Sequence, residues 1–259
     1  MTTLLEVQGL TRRFGGLVAV NDLSFSLERG EVLGIIGPNG AGKTTAVNLI
    51  SGVLKPTTGS VRLSGEDVTA LPPHKLAAKG LCRTFQSTTV LPEMTVRDNA
   101  RRGAYLERKS GPLATFFGTP SARARQRESD ERVDGLLERL NLAHLADVRA
   151  DSLPYGFQKT LGMVIALASN PAVILLDEPV AGLSAEEADH VRDTILSVRD
   201  SGVTIAVIDH NMRFIKGLCD RVLVIVQGSN LTSGTPQQVL SDPAVVSAYL
   251  GTGHAAAKH

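Results

Sequence analysis

The sequence predicts an α/β fold around a mostly parallel β-sheet, and three observations support this. Short, continuously apolar runs at residues 172–176, 203–208 and 222–226 are typical of strands buried on both faces. Residues 185–199, between the first two runs, place their apolar side chains at helical spacing. A fourth apolar run ends in a glycine-rich loop at residues 37–44. Since strands that alternate with helices favour parallel pairing, these features together indicate an α/β protein.

The first part of the chain supplies further elements. Leu5 and Val7 alternate with Glu6 and Gln8, which predicts a strand with one buried face. Residues 32–36 form the apolar strand before the glycine-rich loop, and residues 43–51 have the character of a helix that begins directly after it. With 42% hydrophobic residues and no Trp, the core must consist mainly of Val, Ile, Leu and Ala.

The middle of the chain has a different pattern. Between residues 95 and 145 no strand-like run occurs, and Val133, Leu136, Leu137 and Leu140 follow helical spacing. We expect a helical subdomain, roughly residues 87–160, inserted in the α/β core, and a loose polar tail at residues 251–259. The 259 residues then form a single domain, 1–259.

Composition limits the classes of partner. The formal net charge of +1 gives no reason to expect nucleic acid. Cys82 and Cys219 lack metal-ligand spacing, which favours buried or idle thiols in a reducing compartment. The amino terminus has no signal segment, and the most apolar stretches are far shorter than the ~20 residues that span a bilayer. We therefore expect a cytoplasmic protein that reaches a membrane only through partners.

The glycine-rich loop is a P-loop that predicts phosphate binding. Its residues are Gly37, Pro38, Asn39, Gly40, Ala41, Gly42, Lys43 and Thr44. The glycines allow a tight turn and the close approach of a polyanion to backbone N–H groups, and the following helix adds its positive end. Lys43 can reach the β- and γ-phosphates, while the Thr44 hydroxyl can ligate Mg²⁺. A glycine-rich turn without a ligand is the alternative.

Two carboxylates follow the apolar strand at residues 172–176. Asp177 at the strand end can hold the Mg²⁺ shell, and Glu178 next to it can polarise an attacking water. The alternative is that these acidic residues only solvate the end of the strand. The P-loop earlier in the chain favours the catalytic interpretation over this alternative.

Four further motifs narrow the class: residues 153–158 (LPYGFQ), Gln86, residues 181–184 (AGLS) and His210. With them the sequence resembles the ATP-binding subunits of ABC transporters along nearly its whole length. In that family LPYGFQ looks like the signature motif, Gln86 matches the Q-loop glutamine, AGLS resembles the D-loop and His210 matches the H-loop histidine. The resemblance implies a P-loop NTPase (RecA-like) nucleotide-binding domain, with an amino-terminal antiparallel β subdomain and an inserted helical subdomain.

Four short segments support a finer resemblance: residues 71–74 (LPPH), 83–86 (RTFQ), 91–96 (LPEMTV) and 248–251 (AYLG). They are typical of the ATPases of branched-chain amino acid importers. Within that branch RTFQ looks more like the longer of two paralogues. The branch includes importers of urea, amides and aromatic acids, so the resemblance leaves the transported solute open.

The family implies a mechanism in which two ATPase subunits, identical or paralogous, enclose ATP head to tail. Lys43, Thr44, Thr45, Gln86 and Asp177 would serve the phosphates and Mg²⁺, Glu178 the water and His210 the γ-phosphate. Signature residues Tyr155, Gly156 and Gln158 would contact the ATP bound by the other subunit. Two membrane permease subunits would be driven on the inner face of the plasma membrane, and a periplasmic or extracellular solute-binding protein would take part indirectly.

Phe14 lies upstream of the P-loop, where the family places an aromatic residue that stacks on adenine, and a plain core Phe is the alternative. Pro154 replaces the usual signature serine, and it lacks both the hydroxyl and the N–H, which predicts weaker ATP-driven dimerisation. Residues 97–127 carry a local charge of +6, which indicates either a solvated helix face or a surface that faces the membrane partner or lipid head groups.

Two other classes of function fit the sequence less well. A soluble ABC ATPase acting in translation or DNA maintenance usually carries two cassettes or a long coiled-coil insertion, and neither is present. A P-loop GTPase or kinase would leave the signature, Q-loop and H-loop motifs unexplained, and the guanine-specifying Asn-Lys-x-Asp element is missing. A transport ATPase is the function that the sequence favours.

Overall fold

The computed structural model describes residues 2–84, 90–104 and 120–251. Its strands are β1 (Thr3–Phe14), β2 (Leu17–Glu28), β3 (Val32–Ile36), β4 (Thr58–Leu63), β5 (Glu66–Asp67), β6 (Leu81–Arg83), β7 (Val173–Asp177), β8 (Thr204–Ile208), β9 (Arg221–Val226) and β10 (Ser229–Gly234). Its helices are α1 (Lys43–Ile50), α2 (Pro73–Ala78), α3 (Val96–Ala104), α4 (Pro120–Arg139), α5 (Tyr155–Leu167), α6 (Ala185–Asp200), α7 (Met212–Leu218), α8 (Pro236–Leu240) and α9 (Pro243–Gly251). Gln86, residues 105–119 of the basic stretch 97–127, and the tail beyond residue 251 lie outside the described residues.

The larger sheet carries the P-loop. Its strand order is β10-β9-β3-β8-β7-β6, and every pairing from β9 to β6 is parallel. Only the edge strand β10 pairs antiparallel, with β9. Because β3 lies between β8 and β9, the loop that follows β3 leaves the middle of the sheet at its carboxyl edge. The predicted α/β fold with a mostly parallel sheet is confirmed.

The smaller sheet has the order β2-β1-β4-β5 and is antiparallel throughout. In β1 the side chains of Leu5 and Val7 are buried, whereas Glu6 and Gln8 are not, as the alternation predicts. This sheet is the amino-terminal antiparallel subdomain that the family resemblance implied.

The core lies on both faces of the large sheet. Along β8, Ile205 and Val207 belong to the core shared with α3 to α7, while Ala206 and Ile208 face the core shared with α1 and the small sheet. Strands β3 and β7 divide their side chains in the same way. A parallel sheet that is covered on both faces explains why these strands are continuously apolar in sequence.

Helices α3, α4 and α5 form the described part of the helical segment. Arg97 of α3 pairs with Asp134 of α4, and Arg101 pairs with Asp130. Two of the basic residues predicted to form a solvated or membrane-facing surface therefore join two helices of the same chain. The predicted limits of the helical subdomain, 87–160, stay a prediction. Within the described ranges, none of the helices combines the length and apolarity needed to cross a membrane.

Candidate functional site

A cavity of about 540 Å³ opens at the P-loop. The P-loop and the start of α1 contribute residues 39–45, and Glu178 and Ile208 come from the carboxyl ends of β7 and β8. Leu17, Val18 and Ala19 of β2 and Gln227 after β9 complete the lining. The sequence interpretation missed these last four residues because they bear no charged group and belong to no motif. The carboxyl edge of a parallel sheet is the usual place for a ligand in an α/β protein.

Backbone packing explains two of the loop's glycines. A Cβ atom at Gly37 would lie 2.1 Å from the carbonyl oxygen of Ile225, and one at Gly42 would lie 2.3 Å from that of Ala19. Gly42 also has φ +97°, a left-handed conformation that favours glycine. At Gly40 a Cβ would meet nothing within 4 Å, because this residue faces the open cavity. The loop is thus held tightly from behind and is open in front, which suits a bulky anion.

Lys43 currently bonds to its own loop. Its Nζ donates to the carbonyl oxygens of Gly37 at 2.7 Å and Pro38 at 3.0 Å. Partial burial lowers the pKa of the Lys43 ammonium, while the negative charges of Glu178 and Asp177 oppose that shift. The structure therefore brings Lys43 and both predicted carboxylates into one electrostatic environment. In the sequence they are far apart, since Lys43 lies in the first half of the chain and the two acids lie in the second.

Glu178 adopts a left-handed backbone conformation with φ +47° directly after β7. Its N–H donates to Ile208 of β8 at 2.8 Å, so the turn is anchored to the sheet. The side chain lines the cavity, and its Oε1 lies 3.9 Å from Nδ1 of His210. Left-handed backbone at non-glycine residues costs energy and is concentrated at functional sites. Two of the predicted catalytic residues, Glu178 and His210, thus lie beside each other.

The loop after β8 holds His210 in place. Asp209 is 1% exposed, and its Oδ1 accepts hydrogen bonds from the backbone N–H groups of His210 at 2.7 Å and Asn211 at 2.9 Å. Asn211 is the N-cap of α7, where its side chain accepts from the N–H of Phe214. The His210 side chain is 62% exposed and projects from this fixed backbone. The sequence pattern identified the histidine but not the two side chains that orient its loop.

Asp177 is held in an ion pair that the sequence did not reveal. Nη2 of Arg83, at the end of β6, donates to Oδ2 of Asp177 at 2.6 Å, and both side chains are only 8% exposed. The other terminal nitrogen of Arg83 donates to Asn48 of α1 at 2.6 Å. Arg83 entered the sequence interpretation only as a letter of the RTFQ motif, since a pattern does not state which carboxylate a guanidinium contacts.

The residues present fit a nucleotide with Mg²⁺. No group of three or more His, Cys, Asp or Glu side chains suited to a metal ion occurs in the described ranges. Mg²⁺ does not require such a group, since it usually takes one or two carboxylates together with substrate phosphates and waters. Thr44 and Glu178 line one cavity with the glycine cradle, and Asp177 acts on the same lysine. This donor set suits a metal that arrives with phosphate.

The signature motif lies elsewhere. Pro154 is the N-cap of α5 and makes no side-chain cap hydrogen bond. Tyr155 is 49% exposed, Gly156 faces Glu187 of α6, and Gln158 donates to the carbonyl oxygen of Leu153 at 2.9 Å. None of these residues is among the described residues that line the P-loop cavity. The signature residues therefore form no described part of the wall of their own chain's P-loop cavity.

Phe14 and Tyr249 have contrasting positions. Phe14, at the end of β1, is 43% exposed, lies under the Arg12 guanidinium at 4.6 Å, and is not among the residues that line the cavity.

Burial raises the pKa of Tyr249 in α9 to about 12, and a hydrogen bond with the Gly37 backbone opposes part of that rise. The carboxyl-terminal helix thus reaches the back of the P-loop, a contact that no motif predicted.

Comparison with known families agrees with this geometry. A family model described as ABC transporter matches residues 20–181, more than half of the chain. A second model, described as branched-chain amino acid ATP-binding cassette transporter, matches residues 230–255, the region that contains Tyr249. The predicted family and the predicted ATPase activity are both confirmed by these matches.

Similar proteins cover nearly the whole chain. BraF of Pseudomonas aeruginosa, a high-affinity branched-chain amino acid transport ATP-binding protein, is 41% identical over 96% of this chain and 98% of its own length. LivG of Escherichia coli K12, with the same description, is 39% identical over the same shares. LptB of Acidithiobacillus ferridurans, a lipopolysaccharide export system ATP-binding protein, is 36% identical over 97% and 98%.

A solved structure gives the same result for the fold. The ADP conformation of MJ1267, an ATP-binding cassette of an ABC transporter, superimposes with a TM-score of 0.85 at 32% identity and covers 97% of this chain and 100% of that chain. The sequence motifs, the P-loop cavity and these matches agree. The chain belongs to the ATP-binding cassettes of the ABC transporter family, on the branched-chain amino acid branch.

Proposed function

We propose that this chain is the ATP-hydrolysing subunit of an importer for amino acids, with branched-chain amino acids as the leading candidates. The observation that carries the proposal is the 41% identity to BraF over nearly the full length of both chains. The P-loop cavity with Glu178 at its edge supplies the chemistry. The similarity to LptB, from an export system, means that the cassette fold alone does not fix the solute or the direction of transport.

Within the cavity each residue has a distinct role. The backbone N–H groups of residues 39–45 and the positive end of α1 bind the phosphates. Lys43 leaves the carbonyl oxygens of its own loop for the β- and γ-phosphates, and Thr45 contributes its N–H and hydroxyl to the same cradle. Mg²⁺, when bound with the nucleotide, supplies charge neutralisation of the phosphates, and Thr44, Asp177 and Gln86 are the residues that hold it.

Hydrolysis requires a polarised water, and Glu178 is the base we assign to it. Its carboxylate lies at the cavity edge, with His210 3.9 Å away to bond the γ-phosphate. Gln86, outside the described residues, completes this set. Phe14 is 43% exposed and remains our candidate for the adenine, which requires its ring to leave the cover of Arg12.

The second half of the site comes from another chain. Because Tyr155, Gly156 and Gln158 do not line the cavity of their own chain, we assign them to the ATP of a second ABC ATPase subunit, identical or paralogous. This dimer would act on two membrane permease subunits at the inner face of the plasma membrane. A periplasmic or extracellular solute-binding protein would deliver the amino acid to the permeases, and nucleic acid has no role.

Uptake in cells tests the solute. Replacing the chain with the Glu178→Gln variant should reduce uptake of radiolabelled leucine, isoleucine and valine to background, because the water would lose its base. The Arg221→Lys variant, at the opposite edge of the sheet, serves as the control and should retain uptake. Normal leucine uptake in the Glu178→Gln strain, with loss of urea or aromatic acid uptake, would transfer the proposal to another solute of this branch.

Co-purification tests the class of function. The tagged chain should bring down its permease subunits from detergent-solubilised membranes. Full ATPase activity in a chain that never associates with membranes would contradict the transport proposal and favour a soluble ABC ATPase.

A further inference from the structure

We propose that Arg83 is a positioning residue of the phosphate site, acting as the counter-ion of Asp177 and sharing that carboxylate with the metal. The inference rests on the proposed function, in which Asp177 helps to hold Mg²⁺. Arg83 lies three residues before Gln86, at the end of β6, the strand that leads into the Q-loop.

The geometry ties three elements together. Nη2 of Arg83 donates to Oδ2 of Asp177 at 2.6 Å, and its Nη1 donates to Oδ1 of Asn48 at 2.6 Å and lies 3.3 Å from Oγ of Ser51. Asn48 and Ser51 belong to the P-loop helix α1 and its carboxyl-terminal cap. One guanidinium therefore links β6, the carboxyl end of β7 and the helix that presents the P-loop.

Burial makes this link electrostatically strong. Both side chains of the pair are 8% exposed, so water screens their charges little. An isolated buried carboxylate is costly, and Arg83 compensates Asp177 when no metal is present. When Mg²⁺ arrives with a nucleotide, its charge and that of the guanidinium act on the same carboxylate. Arg83 thus orients the Asp177 carboxylate through the ion pair, and its positive charge also weakens the site's attraction for the metal.

The consequence is a metal response that depends on Arg83. Without the guanidinium, the metal becomes the main remaining partner of Asp177 besides Lys43. A ligand that binds the folded state more tightly stabilises it more. Arg83→Met should therefore unfold more readily without metal, yet gain more stability from Mg²⁺ than the wild-type chain gains.

Thermal unfolding of the purified chain with ADP tests this, with either EDTA or a series of MgCl₂ concentrations. For Arg83→Met we expect a lower melting temperature in EDTA, a larger Mg²⁺-induced rise than in wild type, and a half-maximal Mg²⁺ concentration about fivefold lower, as the loss of one nearby positive charge predicts. Arg83→Lys keeps the charge but not the two-pronged geometry, so its response should lie between the two.

Arg221→Met is the matched control. Arg221 also forms an ion pair between elements, with Glu31 at 2.7 Å, but at the amino-terminal edge of the sheet, away from the P-loop. Its loss should lower the melting temperature without changing the Mg²⁺-induced rise. An Mg²⁺ response in Arg83→Met equal to that of wild type would overturn the inference and leave Arg83 as a structural ion pair only.

Two further outcomes are decisive. If Arg83→Met does not fold, Arg83→Lys carries the test, with a half-maximal Mg²⁺ concentration equal to or above that of wild type as the contradicting result. If the wild-type chain shows ADP-dependent stabilisation that Mg²⁺ does not change, the metal role of this site fails, and Arg83 fails with it. A normal Mg²⁺ response in wild type with no change in the variants removes only the Arg83 inference.

Discussion

At the residue scale, backbone conformation and contact decide which glycines can be replaced by a larger residue. Gly42 has φ +97° and no room for a Cβ, whereas Gly135, on an exposed turn of α4, meets nothing within 4 Å. A side chain at Gly42 would shift the backbone that begins α1, and with it the N–H groups of the cradle. The geometry of the phosphate-binding N–H groups therefore requires glycine at residue 42.

We expect Gly42→Ala to weaken ATP binding at least about tenfold, since a left-handed alanine alone costs roughly 1–2 kcal/mol and the contact with Ala19 adds to it. Gly135→Ala is the control and should stabilise α4 by about 0.5–1 kcal/mol through helix propensity. Titration with a fluorescent ATP analogue and urea unfolding measure the two effects. Unchanged nucleotide affinity in Gly42→Ala would contradict the rigid cradle.

The cysteines give a second prediction at this scale. Burial raises the pKa of both thiols, and Cys82 lies 3.0 Å from the hydroxyl of Ser169. Because the thiolate is the reactive form, the native protein should react with a thiol reagent at pH 8 at least roughly tenfold more slowly than the urea-unfolded protein. Rapid labelling of the native chain would show that one of these sites opens readily.

At the element scale, the start of α5 differs from the start of α6 in its capping. Pro154 makes no side-chain cap, whereas α6 begins with a capping box formed by Ser184 and Glu187. A serine at residue 154 could accept a hydrogen bond from the first turn of α5 and offer its hydroxyl to the nucleotide of the opposing chain. Pro154 therefore concerns binding between chains more than folding.

We expect Pro154→Ser to increase ATP-induced dimerisation in the Glu178→Gln background. The free energy of unfolding should change by less than about 1 kcal/mol, because the new N-cap hydrogen bond of the serine offsets the greater conformational entropy of the unfolded chain without proline. Size-exclusion chromatography with ATP and urea unfolding provide the measurements. Pro236→Ser, at the start of α8, removes a proline ring away from the site and should not affect dimerisation. Identical dimerisation in the Pro154→Ser and parent chains would contradict the role of this position.

At the scale of the whole molecule, the proposed function requires two chains for each site. Because the signature residues are not among the described residues that line the P-loop cavity, Lys43 and Gly156 should act in different sites of a dimer. Head-to-tail pairing predicts complementation between two defective variants, whereas a site formed by one chain alone does not. Damage to the P-loop of one chain and to the signature of the other leaves one composite site intact.

We therefore expect Lys43→Ala and Gly156→Val, each inactive alone, to regain up to about one quarter of the wild-type ATPase rate when mixed in equal amounts. Random pairing makes half of the dimers mixed, and each mixed dimer contains one intact site. Steady-state ATPase assays of the variants, alone and mixed, measure this. The added Cβ at residue 156 meets only the flexible end of Glu187 at 3.3 Å, so folding should be retained. A mixture as inactive as its components would argue against pairing of this chain with itself.

Much of the fold was open to sequence reasoning because its signals are local. The continuously apolar strands β3, β7, β8 and β9 and helix α6 were predicted to within a few residues, since burial on both faces leaves a direct record in composition. The P-loop was equally clear, because its glycines, Lys43 and Thr44 follow one another in a single contiguous motif.

The sequence by itself determined the family, the phosphate loop and the two acidic residues Asp177 and Glu178 at the end of β7. Only the tertiary structure decided which groups meet. It placed Arg83 on Asp177, Tyr249 behind Gly37 and Glu178 beside His210, and it left the signature motif away from the P-loop of its own chain. The physical reason is that strand order brings together residues far apart in the chain, and the pattern of apolar residues states that a strand is buried without stating its neighbours.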